Sequence, residues 1–101
     1  MRLPECCENI DMLYMVVERF KDIGAVEVYR RAKTRGRMLP DGLNYLSSWV
    51  DPDFTICFQL METDDAGLFQ QWTTNWSDLV DFEIIPVRTS AEASARIAPR
   101  L

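Results

Sequence analysis

Apolar residues recur at every second position in four stretches of this chain. In MLYMVVERF, residues 12–20, Leu13, Met15, Val17 and Arg19 fall on one face, and Tyr14, Val16, Glu18 and Phe20 on the other. In FTICFQLME, 54–62, Phe54, Ile56, Phe58 and Leu60 alternate with Thr55, Cys57, Gln59 and Met61. LNYLSSWV, about 43–50, sets Leu43, Tyr45, Ser47 and Trp49 against Asn44, Leu46, Ser48 and Val50; DFEIIPVRT, 81–89, closes the set. A period of two predicts four β-strands. Pro86 cannot donate to a ladder, so the fourth is expected at an edge or at a bulge.

Two intervening stretches change period to 3.6. Ala25, Val28, Tyr29 and Ala32 make one apolar stripe and predict a helix over 24–37. Asp22 is placed to cap it, and Gly36 to end it in a left-handed conformation. Leu68, Phe69, Trp72 and Trp76 form an aromatic stripe and predict a second helix over 64–77, with Asp64 and Asp65 in its first turn. Leu39-Pro40-Asp41-Gly42 is a turn, and Asp51-Pro52-Asp53 joins the second and third strands as a hairpin. Thr89 with Glu92 fits a capping box opening a last helix over 90–97, ended by Pro99.

The order β-α-β-β-α-β predicts a ferredoxin-like α+β fold. Right-handed crossovers place both helices on one face of a four-stranded antiparallel sheet of order 4-1-3-2. The expected domain runs over 12–98. Residues 1–11 follow neither period and are expected to be a flexible extension, with Met12 as the translation start.

The strands are apolar on both faces, which a sheet with one solvated face should not be. Four strands of six residues present roughly 400 Å² of flat sheet. Lone monomers rarely leave a larger apolar patch open. Burying it would contribute on the order of 10 kcal/mol before association costs. A homodimer with the two sheets face to face, a dimeric α+β barrel, is therefore expected.

Composition bounds the function. The 101-residue chain carries 16 acidic and 11 basic residues, a net charge of −5. That disfavours a nucleic-acid or anionic-membrane partner. No apolar run is long enough to span a bilayer. Arg30, Arg31, Lys33, Arg35 and Arg37 cluster all the same: a solvated helix face, or a local site for an anionic ligand or an acidic partner. Cys6, Cys7 and Cys57 show no CxxC spacing, and reduced thiols in a cytoplasmic protein are the simplest reading. His is absent, which excludes Ser–His–Asp, Cys–His and His-metal chemistry within the chain. No metal and no cofactor are expected.

MLYMVVERF at 12–20, RGRMLPDGLNY at 35–45, SWV at 48–50, CFQLMETDD at 57–65 and WSDLVDFEIIPV at 76–87 resemble a family of short proteins catalogued as a domain of unknown function. The resemblance covers about residues 12–98. It implies the dimeric α+β barrel and no assigned activity. The wider superfamily with this barrel includes antibiotic-biosynthesis monooxygenases, muconolactone isomerases, stress-responsive barrel proteins and haem-degrading enzymes. The histidine that many haem-binding and some isomerase members use is missing here.

Candidate chemistry is placed on the helix-free face. Thr55, Cys57, Gln59 and Met61 are assigned to it, because Phe54, Ile56, Phe58 and Leu60 suit the helix stripes better. This inward set either packs across the dimer or lines a pocket for a small apolar or aromatic ligand. Gln59 needs a partner if buried. Glu18 and Arg19 lie near the barrel mouth, where a carboxylate among apolar groups gains basicity; the plain alternative is a surface ion pair. Tyr45 and Trp49 share one strand face, as a stack for an aromatic ligand or as interface anchors. Cys57 lacks the neighbouring cation that would activate it. Two functions stand: a non-catalytic homodimer binding a ligand at Arg19, Tyr45, Trp49, Cys57 and Gln59, or a cofactor-independent monooxygenase- or isomerase-like enzyme with Glu18 and Gln59 in catalytic roles.

Overall fold

The computed structural model describes residues 12–22 and 24–101; the extension expected over 1–11 lies outside them. The elements run β1 (Met12–Phe20), α1 (Gly24–Arg35), β2 (Asn44–Val50), β3 (Ile56–Thr63), α2 (Leu68–Thr74), β4 (Val80–Val87) and α3 (Ser90–Ile97), followed by a 3-10 turn over Ala98–Arg100. All strand pairs are antiparallel, and the sheet order is β2-β3-β1-β4. Counted from the other edge this is the expected 4-1-3-2. The fold is α+β and ferredoxin-like.

Local chemistry sets the element ends. Pro86 sits on β4, an edge strand, opposite Tyr14. Gly36 takes φ 69°, and its N–H donates to Ala32 O at 2.8 Å, so α1 stops at Arg35. Gly24 opens α1 where a Cβ would lie 2.7 Å from Leu79 O, so only glycine lets the helix start so close to the chain entering β4. Thr89 caps α3, its hydroxyl accepting from Glu92 N–H at 3.0 Å.

α2 is shorter than its stripe predicts. Asp65 accepts from Gly67 N–H at 2.9 Å and donates its own N–H to Thr63 Oγ1 at 3.1 Å. These local bonds hold 63–67 as turns, so Asp64 and Asp65 precede the helix rather than charge its first turn. The hairpin also claims more than expected. Asp51 accepts from Thr55 N–H at 2.6 Å and Ile56 N–H at 2.7 Å, and Phe54 takes φ 59°. Phe54 and Thr55 therefore belong to the turn, and β3 starts at Ile56.

The core lies between the sheet and the helices. Val16 and Met61 from the sheet pack with Leu43, Phe69, Trp72 and Trp76, and Val28 and Ala32 of α1 close over them. Tyr14 meets Phe69 edge-on at 4.9 Å. This reverses the expected faces of β3. Met61, Gln59 and Cys57 stand opposite Tyr14, Val16 and Glu18 and point to the helices, while Phe58 and Leu60 stand opposite Val17 and Met15 on the helix-free face. The reason is volume: Phe69, Trp72 and Trp76, with Tyr14 and Phe82 of the flanking strands, already fill the core, so β3 turns its slimmer side chains towards it.

The helix-free face carries an apolar set, as expected, alongside Arg19, Glu62, Asp81 and Glu83. Leu13, Met15, Val17, Phe58, Leu60, Ile85 and Trp49 share it by register. Phe58, Ile85 and Trp49 are exposed. Every residue of α3 is exposed as well.

Candidate functional site

A cavity of about 390 Å³ opens between the sheet and α1. Its floor follows from the antiparallel register. Val50, Cys57, Glu18 and Phe82 form one row across the four strands, and Ser48, Gln59, Val16 and Ile84 the next. Phe20, Trp72 and Trp76 complete the walls, and Val28, Tyr29 and Ala32 of α1 line it from the helix side.

Arg37 is the organising residue. Because Gly36 turns the backbone left-handed, the chain leaves the helix axis and Arg37 enters the cavity instead of extending the solvated face of α1. Its carbonyl accepts two indole N–H groups, Trp72 Nε1 at 3.0 Å and Trp76 Nε1 at 3.1 Å. Its guanidinium lies 3.6 Å over the Tyr45 ring, and Nη1 donates to Gln59 Oε1 at 3.2 Å. The Tyr45 and Ser48 hydroxyls pair at 2.7 Å. The other two arginines with assigned partners in the basic run are paired outside: Arg30 with Glu27, and Arg31 with Asp78 at 2.7 Å.

Glu18 is buried, and its Oε2 has no hydrogen-bond partner. Burial pushes its carboxyl up to about 7; the Arg37 charge pulls the other way and is the weaker influence. Across the ladder, burial pushes the Cys57 thiol up to about 12, with the Glu18 charge adding to it and Arg37 opposing. The Tyr29 hydroxyl is raised by the same burial and by Cys57 and Glu18. A thiol so raised holds almost no thiolate near neutral pH. Cys57 is therefore expected to resist iodoacetamide in the folded chain at about pH 8 and to react once urea unfolds it. Peptide-level mass spectrometry checks this, and fast labelling of Cys57 in the native state would contradict the burial described.

The residues expected to share one site divide between two faces. Glu18, Cys57 and Gln59 line the cavity, and Tyr45 supports it through Arg37. Arg19 and Trp49 lie on the opposite face. Arg19 donates to Glu83 Oε1 at 3.1 Å, so its ion pair is with β4 and not with its neighbour Glu18. Tyr45 and Trp49 do not share a face, because a bulge between Tyr45 and Ser47 inserts one residue and inverts the parity of β2. The cavity is under the helices, not on the helix-free face where a ligand was expected. Arg37, Ser48 and Tyr29 line the cavity too, and the alternation did not single them out.

Among the described residues no His, Cys, Asp or Glu group of metal-ligating size gathers, and no helix is long and apolar enough to cross a membrane. Fold and site together define a ferredoxin-like α+β protein with a polar-floored cavity beneath its helices. The chain belongs to the family described as a domain of unknown function (DUF3303), whose model matches residues 12–101. No curated protein and no solved structure matches it.

Proposed function

We propose that this protein binds a small, largely apolar organic molecule in the cavity under α1 and works as a homodimer. One observation carries the binding reading: a buried carboxyl, Glu18, stands without a partner in the wall of a cavity large enough for a small ligand. Buried polar groups are nearly always satisfied, so an orphan in a roomy cavity calls for a bound group. Native mass spectrometry of protein purified from its own host tests this. A non-covalent small mass is expected, lost in Val28→Trp, where an indole fills the space under α1. An empty native protein that also takes up no added ligand would overturn it.

The dimer reading rests on the helix-free face. Trp49, Phe58 and Ile85 are exposed together on a sheet surface of roughly 400 Å² before side-chain relief is counted. Face-to-face pairing with a second copy covers it. Trp49→Ala is expected to weaken dimerisation by on the order of 2 kcal/mol, read as a shift in the monomer–dimer midpoint by sedimentation velocity. An unshifted midpoint, or a parent chain that stays monomeric, would overturn this placement. The buried Cys57 thiol suits a reducing compartment, and the cytoplasm is the proposed location.

A second reading is favoured by the basicity of Glu18. A carboxylate titrating near neutrality is matched to general-base work on a bound hydrophobic substrate, with Gln59 orienting it. In that case Glu18→Gln abolishes turnover, and full activity in that variant removes Glu18 as the base.

A further inference from the structure

We propose that the cavity takes a small monocarboxylate with an apolar body, its carboxylate bridging the Arg37 guanidinium and the side-chain carboxyl of Glu18. This rests on the binding reading above and names its ligand class.

Arg37 brings unused donors to the cavity wall. Arg37 carries five N–H donors, and its side-chain hydrogen bond among the described residues is the one to Gln59 Oε1. That bond consumes the amide oxygen of the floor. Ser48 Oγ is paired with Tyr45. Glu18 Oε2 has no partner, and Arg37 is engaged with Gln59 and the Tyr45 ring rather than with Glu18. The wall therefore presents a guanidinium and an orphaned carboxyl with no group that joins them. A ligand carboxylate accepts from the first in a charge-assisted bond and shares the proton of the second. Trp72, Val28 and Phe20 leave an apolar space for the rest of the molecule. A cationic ligand would meet the Arg37 charge in the same confined space. A neutral one would leave that charge without a counter-ion.

Protonation couples to binding. The groups facing Glu18 are Cys57 from β3, Tyr29 from α1 and Arg37 from the connection after α1; Val50 of β2 and Phe82 of β4 in the same row do not titrate. Arg37 is the one cation among them. Glu18 supplies the shared proton only in its acid form, so affinity should fall about tenfold per pH unit once Glu18 ionises.

The test is calorimetric titration with phenylacetate, phenylacetamide and phenethylamine at about pH 6 and about pH 8.5. Phenylacetate is expected to bind about 10–100-fold tighter than either counterpart at the lower pH and to weaken at the higher. Glu18→Gln, whose amide still donates, should keep phenylacetate binding and lose its pH dependence. Arg37→Met, which retains the carbonyl that holds both indoles, should lose the preference for the acid. Preference for the amine or the amide, equal binding of all three, or binding of none overturns the carboxylate assignment. Binding of the amine or the amide that disappears in Val28→Trp overturns the assignment and leaves the cavity reading standing. An empty native protein that also binds no probe removes both.

Discussion

Trp72→Ala is expected to lower the stability of the folded chain by about 3–5 kcal/mol. The indole is 3% exposed and sits between Phe69, 6.4 Å away, and Phe82 on the sheet, 5.3 Å away. Truncation removes that packing and leaves a void that the rigid sheet beneath cannot fill. A loss of that size is a large fraction of the roughly 5–15 kcal/mol typical of a small domain. Trp72→Phe separates packing from polarity. It keeps most of the ring and deletes the N–H bond to the Arg37 carbonyl, which Trp76 still satisfies at 3.1 Å. The smaller change should therefore lower stability by about 1 kcal/mol. Urea unfolding followed by circular dichroism reads both variants. An unchanged midpoint in Trp72→Ala would mean that the core is not centred on this indole.

That core shows which parts of the fold the sequence carries openly. The four alternating stretches, the two 3.6-period stripes, the Thr89–Glu92 cap and the edge position of Pro86 are local patterns, and each marks its element in the right order, though α2 is shorter than its stripe and β3 begins two residues late. Period two states that a strand has two faces; it does not state which one the helices cover. That choice is a competition for volume between elements. Phe58 and Leu60, the bulkier set on β3, lose it because Phe69, Trp72 and Trp76 arrive from the other side. Parity is lost at one further point. The bulge at 45–47 moves Tyr45 and Trp49 to opposite faces, and nothing in NYLSSWV announces an extra residue.

The site was half legible for the same reason. Glu18, Cys57 and Gln59 stand out as polar or reactive residues at positions where apolar ones are due, and all three line the cavity. Arg37 was hidden in a run of five basic residues that reads as one solvated helix face. The signal was Gly36: a residue after a left-handed glycine no longer follows the helix, so Arg37 cannot be assigned to the face of Arg30 and Arg35. Tyr29 belonged to the α1 stripe, and only the space between helix and sheet separates a cavity-lining residue from a core residue.

Glu18 should make the chain less stable as pH rises, the reverse of ordinary acid denaturation. Its carboxyl ionises at its usual 4.5 when the chain is unfolded and at about 7 in the fold. Below the lower value both states hold the proton, and burial of the neutral acid adds no pH-dependent cost. Between the two values the unfolded chain releases its proton while the folded chain keeps it, so unfolding gains ground with each step in pH. Above about 7 both are ionised and the full cost persists, about 3 kcal/mol. Asp51 and Asp78 work in the opposite sense. Hydrogen bonds to Thr55 and Arg31 hold their carboxyls below the usual range, so their contribution is lost only in stronger acid. Stability should thus peak near about pH 5 and fall towards neutrality. Glu18→Gln removes the ionisable group and should flatten that descent, leaving the variant more stable than the parent at about pH 8. Urea midpoints across the range read the slope directly. A parent profile that rises from about pH 5 to about pH 8, or a Glu18→Gln variant that is the weaker of the two at the alkaline end, would show that the carboxylate has a partner in the fold. The cavity would then lack the orphaned group from which its ligand chemistry is argued.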